Sequence, residues 1–296
     1  TPDPPPAGRL ARLDTQGGGF VMGTLDMEHG FAAQVARELG ATVAVVDYRL
    51  APEDPFPAGL EDCYAALQWL HAEAAALGID ADRIAVGGQS AGGGLTAATV
   101  LLARDRGGPP VCFQFLGIPE LDHRLETTSM RTFVDTPLWH RANAIKSWEM
   151  YLGPDHEGEV SPYASPSLAT DLRGLPAAYV TAMEFDPLRD EAILYALRLL
   201  EAGVSVELHT YPGTFHGSAL VPTAAVSRRA GEELLVAVVA ASPELDETVE
   251  ALRRSCHELA RRERELRALS TPEDERRLAE EHATLASRLG AEKSGR

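Results

Sequence analysis

RIAVGGQSAGGGLTAATVLLARDR, residues 83–106, decides the fold. Arg83 to Gly88 is a strand-like apolar run, Leu95 to Arg106 is a helical run of small and apolar residues, and GGQSAGGG (87–94) joins them with Ser90 at its centre. A serine on a sharp strand-to-helix turn is held with its hydroxyl exposed, and Gly88 and Gly92 leave room for backbone to come close. The same Gly-x-Ser-x-Gly pattern also describes an ordinary glycine-rich turn. A serine is a poor nucleophile until a base takes its proton, so the reading depends on whether a histidine and an orienting acid follow.

Downstream, AAYVTAMEF (177–185) has the composition of a buried strand and leads into Asp186. SVELHTY (205–211) is a further strand, followed by a loop that carries His216. Taken alone, Asp186 before Pro187 suits a cap for the helix of Leu188 to Glu201, and His216 before Gly217 suits a surface loop. Together with Ser90 they fall at or just past strand ends, in the Ser, Asp, His order of the α/β-hydrolases. Strand and helix signals alternate: strand Thr42 to Tyr48, helix Leu60 to Leu77, strand Arg83 to Gly88, helix Leu95 to Arg106, strand Val111 to Ile118. This alternation predicts an α/β fold with a mostly parallel sheet flanked by helices.

QGGGFVMG (16–23), DYRLAPEDPFPA (47–58), GGQSAGGG (87–94), EFDPLRDE (184–191) and YPGTFHGS (211–218) appear in the order of a known motif set. Over about residues 16–240 the chain resembles the hormone-sensitive-lipase-like, or bacterial family IV, carboxylesterases of the α/β-hydrolase superfamily. The resemblance implies Ser90 as nucleophile, His216 as general base and Asp186 as the acid that orients it; Glu184 and Asp190 are neighbouring carboxylates outside that pattern. It also implies that the backbone N–H groups of Gly18, Gly19 and Ala91 form an oxyanion hole, and that short- to medium-chain esters are hydrolysed with no cofactor and no metal. Two residues depart from the family: Gln16 stands where histidine usually leads the glycine triplet, and Gln89 stands where aspartate often precedes the nucleophile. Gln16 differs from histidine in shape and reach, so the glycine loop is expected to be held less firmly.

Only fifteen residues precede Gln16, so relative to the family the N-terminal cap and first strands are expected to be missing, leaving 1–15 as a remnant. Arg9 to Thr15 (RLARLDT) occupies the place of a central strand, where a nearly continuous apolar run is the norm; Arg9, Arg12 and Asp14 break it. The hydrolase domain is expected at 16–241. Within it, residues 120–165 interrupt the alternation with Met130, Phe133, Trp139, Trp148, Met150 and Tyr151. This is a cap-like insertion whose residues individually read as packing and jointly as one wall of a pocket. From Ser242 onward, Leu245, Val249, Leu252, Cys256, Leu259, Glu263 and Leu266 recur at coiled-coil spacing, as do Leu278, His282, Leu285 and Leu289. Ser270-Thr271-Pro272-Glu273 between the two runs makes 242–296 a helical hairpin that either packs back or joins copies into a homo-oligomer.

Composition narrows the partners. With 27 basic and 44 acidic residues among 296, the formal charge is −17, which argues against nucleic acid or an anionic membrane surface. Cys63, Cys112 and Cys256 are few, scattered and odd in number, which suits a reducing, cytoplasmic setting better than a disulfide framework or a zinc site. No membrane-length apolar run or signal peptide is apparent. The competing functional reading is a weakened enzyme or small-molecule-binding protein on the same fold, for which loss of the histidine would be the signature.

Overall fold

The computed structural model describes residues 8–154, 156 and 158–240. Six strands form one sheet: β1 (Arg9–Thr15), β2 (Thr42–Val46), β3 (Ile79–Gln89), β4 (Phe113–Gly117), β5 (Ala177–Phe185) and β6 (Val206–Phe215). They lie in the order β2-β1-β3-β4-β5-β6, and every pairing is parallel. Parallel neighbours need crossovers, supplied here by helices α1 (Leu25–Leu39), α2 (Ala58–Ala72), α3 (Ala74–Leu77), α4 (Ala91–Asp105), α5 (Thr128–Thr132), α6 (Arg141–Leu152) and α7 (Arg189–Glu201), with α8 (Ala225–Ala240) following β6. The chain leaves β1 toward β2 on one side and returns to β3 on the other. The strand order therefore reverses between β1 and β3, and ligands of open α/β sheets bind beyond the carboxyl ends of strands at such a point.

Helices α2, α4 and α7 cover one face with the main core, which includes Leu60, Leu67, Leu70, Val86, Leu95, Leu101, Val180 and Leu199. Phe31 of α1 and Leu234 of α8 meet Phe113, Phe115 and Tyr179 on the other face. Helix α4 is buried from Ala91 through Ala103, which explains its small residues and the lack of a polar stripe. The element boundaries differ from the sequence pattern in modest ways. The expected helix over 60–77 divides into α2 and α3, and the strand expected at 83–88 starts four residues earlier, at Ile79. The pattern did not identify α1 or α8.

Arg9–Thr15, which the charges seemed to disqualify, is an interior strand of the sheet. Arg12 and Asp14 are two residues apart, so they share a face, and Arg12 Nη2 donates to Asp14 Oδ1 at 2.6 Å with both residues fully buried. The guanidinium lies 5.1 Å from the Phe31 ring centroid and 5.0 Å from that of Phe115. Gly87 makes the space: a Cβ there would come 2.9 Å from Arg12 Nη2. One glycine of the 87–94 motif therefore serves the sheet interior rather than the turn. The expected remnant at 1–15 thus contributes a strand to the hydrolase sheet itself. The chain divides between Ser242 and Pro243, and the hairpin expected over 242–296 lies outside the described residues.

Candidate active site

At the carboxyl end of β3 the chain must turn into α4 within one residue, and Ser90 takes that turn at φ 56°, ψ −123°. Positive φ is costly for a residue with a Cβ and persists only where the surroundings enforce it. The surroundings here are close backbone. Thr15, the last residue of β1, sends its hydroxyl to Gly92 O at 2.7 Å, and a Cβ on either Gly88 or Gly92 would run into the Thr15 carbonyl. Ser90 N donates to Gly117 O at 2.8 Å, which ties the turn to β4 as well.

Asp186 follows β5 directly and His216 follows β6 directly, so adjacent parallel strands deliver them to the same rim. His216 Nε2 lies 3.0 Å from Ser90 Oγ, and His216 Nδ1 lies 2.8 Å from Asp186 Oδ2. Asp186 is fully buried, whereas Ser90 and His216 each keep 7% exposure. The second Asp186 oxygen accepts from Leu188 N at 2.9 Å, so this carboxylate orients the imidazole and the start of α7 together. The neighbouring carboxylates are engaged elsewhere: Glu184 accepts from Gly213 N at 2.6 Å and Asp190 from Ser129 N at 2.7 Å.

The loop after β1 runs beside the turn. Gly18 and Gly19 adopt φ 112° and 61°, and Gly18 O accepts from Val21 N and Met22 N. Among the described residues, the N–H groups of Gly18, Gly19 and Ala91 have no protein acceptor, as donors reserved for a ligand would. Gln16 is buried and both of its side-chain amide atoms lack a partner among the described residues, while its backbone carbonyl accepts from Tyr48 Oη at 2.9 Å. The cap-like segment covers this loop. Trp139 packs with its ring centroid 5.8 Å from that of His216, and a Cβ on Gly19 would meet Trp139 Cη2. Ser147 of α6 donates to Gly19 O at 2.7 Å. Met130, Trp148 and Tyr151 are buried packing residues, so only part of the aromatic stripe faces the site. Sequence reading did not single out Thr15, Ser147 or Glu120; the sole cue was their position near strand ends or in the cap.

The sequence pattern of the α/β-hydrolase-fold family matches residues 13–220, about 70% of the chain. The chain belongs to that family. Its esterase relatives place it in the hormone-sensitive-lipase-like branch. It is similar to carboxylesterase NlhH of Mycobacterium tuberculosis, 42% identical over 215 residues, covering 71% of this chain and 67% of that protein. Among solved structures, it is similar to a bacterial heroin esterase, with TM-score 0.79 and 62% identity over 81% of this chain and 77% of that one. Esterase LipW of Mycobacterium marinum gives TM-score 0.76 and 41% identity over 80% and 74%. Ser90 lies on the sheet rim beside the switch between β1 and β3, and Asp186 and His216 lie past the ends of β5 and β6 on the same rim. Among the described residues no group of three or more His, Cys, Asp or Glu side chains is arranged to hold a metal ion, and no helix is long and apolar enough to cross a membrane. The thiol of Cys112 is pushed up to about 11 by burial and offers no competing nucleophile at neutral pH.

Proposed function

We propose that this chain hydrolyses small carboxylic esters through an acyl-enzyme on Ser90. The observation that carries the reading is the imidazole of His216 bridging Ser90 Oγ at 3.0 Å and Asp186 at 2.8 Å. In this scheme His216 Nε2 takes the Ser90 proton as Oγ attacks the ester carbonyl, and Asp186 stabilises the imidazolium. The N–H groups of Gly18, Gly19 and Ala91 receive the oxyanion. His216 then protonates the departing alcohol, and a water activated the same way releases the acid and frees Ser90. The esterase relatives support this reaction class, and short to medium acyl chains are the proposed substrates.

A fluorophosphonate should label Ser90, and Ser90→Ala should abolish both labelling and turnover of a short-chain p-nitrophenyl ester with the fold intact; label found on another residue would remove Ser90 from the role. The hairpin proposed at 242–296 is an assembly or packing element in this scheme. A chain ending at Ala241 should therefore keep its kcat and either drop from an oligomer to a monomer by light scattering or keep its oligomeric state and melt at a lower temperature; loss of kcat without unfolding would place the hairpin at the site.

A further inference from the structure

Glu120 follows β4 by three residues and shares the rim with Ser90, whose carbonyl accepts from Glu120 N at 3.0 Å. Its side chain is fully buried, and among the described residues neither carboxyl oxygen completes a hydrogen bond. Burial pushes its pKa up to about 8; the Ser147 hydroxyl beside it opposes that rise and the nearby Asp186 carboxylate adds to it. At neutral pH Glu120 is therefore the neutral acid, with a proton to place. The hydroxyl of Ser147 lies beside it without forming a well-aligned bond to it, because the Ser147 proton points to Gly19 O at 2.7 Å. A hydroxyl that has given its proton still accepts through its lone pairs. The acid lacking an acceptor and the hydroxyl lacking a donor are complementary.

We propose that Glu120 is a positioning residue of the oxyanion loop: its carboxylic acid donates to Ser147 Oγ, which commits the Ser147 proton to the Gly19 carbonyl and clasps Gly18–Gly19 to α6. The proposal rests on the esterase reading of the site. The loop concerned adjoins the nucleophile, since a Cβ on Gly17 would lie 3.8 Å from Ser90 Cβ. When Glu120 loses its proton, the carboxylate can only accept, and a charge-assisted bond draws the Ser147 hydroxyl away from Gly19. The loop then loses its tether. The other titratable groups acting with Glu120 are Asp186 before α7, Glu191 on α7, Tyr48 after β2 and Tyr151 on α6. Burial raises the pKa of both tyrosines, so they ionise only in stronger base than Glu120. Glu191 is also raised, but its carboxylate accepts from Leu121 N at 2.6 Å and Asp122 N at 3.3 Å.

The test is the pH dependence of kcat and KM for p-nitrophenyl acetate in the wild type, E120Q, E120A and S147A, each with its active sites counted by fluorophosphonate. In the wild type kcat should fall as pH rises through about 8 while KM changes little. E120Q donates an amide hydrogen and cannot ionise, so that limb should disappear. E120A and S147A should lose on the order of tenfold in kcat near pH 7, because loosened donors act chiefly on the transition state, and E120Q should recover most of what E120A loses. An alkaline limb that persists unchanged in E120Q, or an S147A enzyme with wild-type kcat, overturns the proposal; these two variants decide it even if E120A does not fold. A wild type that neither labels nor turns over overturns the esterase reading, and this proposal with it.

Discussion

In the sheet interior the carboxylate of Asp14 accepts from Arg12 at 2.6 Å, and the guanidinium is enclosed by Phe31 and Phe115; at the sheet rim the equally buried carboxyl of Glu120 finds no cation and no well-aligned hydrogen bond among the described residues. Burial raises the pKa of both acids. At Asp14 the Arg12 charge opposes that rise, whereas at Glu120 the Asp186 charge adds to it. Partner identity rather than depth separates a group that holds the fold from one that keeps a proton to use. The position in the fold agrees: β1 is locked between two strands, while Glu120 stands beside the nucleophile turn and the cap.

The largest expected effect on stability comes from breaking the paired site. Arg12→Ala leaves Asp14 buried without its counter-charge and should cost about 3–5 kcal/mol in urea unfolding, whereas Arg12→Met combined with Asp14→Leu should bring stability back to wild type or above. A single substitution costing under about 1 kcal/mol would mean that Asp14 takes up a proton or a water molecule in place of the guanidinium.

At the unpaired site the effect depends on pH: it is absent in acid and reaches full size only above about pH 8. The unfolded chain releases the Glu120 proton near 4.5, while the folded chain holds it to about 8. The native state therefore binds more protons across that window, so stability falls as pH rises through it and levels off above. The melting-temperature advantage of Glu120→Gln over wild type should be absent below about pH 4.5, grow up to about pH 8, and then stay constant. A constant offset across the range would show that the acid ionises alike in both states.

The smallest effect sharpens the same contrast with a neutral group. Gln16 is buried with both side-chain amide atoms unpartnered among the described residues but cannot ionise. Gln16→Met should stabilise by about 1 kcal/mol at every pH, since it removes an unsatisfied polar group at similar volume. A loss of stability would show that the amide is hydrogen-bonded in solution.

The nucleophile turn and the order of Ser90, Asp186 and His216 were legible because each is written locally, at the boundary of an apolar run. Their meeting distances follow once adjacent strands are parallel. Arg12 looks like an obstacle when the strand is judged by composition; spacing of two puts Asp14 on its face, but Phe31, Phe115 and the space over Gly87 come from other elements and leave no local trace. Ser147 and Glu120 were invisible for the same reason, since 27 residues separate them and only the cap fold brings the hydroxyl over the rim. Helix α1 was overlooked because its apolar face is thin, with only Ala32 and Val35 buried among many polar residues.

The carbonyl of Thr15 occupies the place a methyl group on Gly88 or Gly92 would need, while the Ser90 hydroxyl faces His216 Nε2 at 3.0 Å. Variation at the turn is thus screened twice, by two different judges. In a library randomised at 88, 90 and 92, a screen for expression alone should already return glycine at the outer positions, and should admit alanine or asparagine at 90. Only a screen for turnover should demand serine. A family signature that reads as one word is, in this molecule, two letters dictated by the neighbouring strand and one dictated by the reaction.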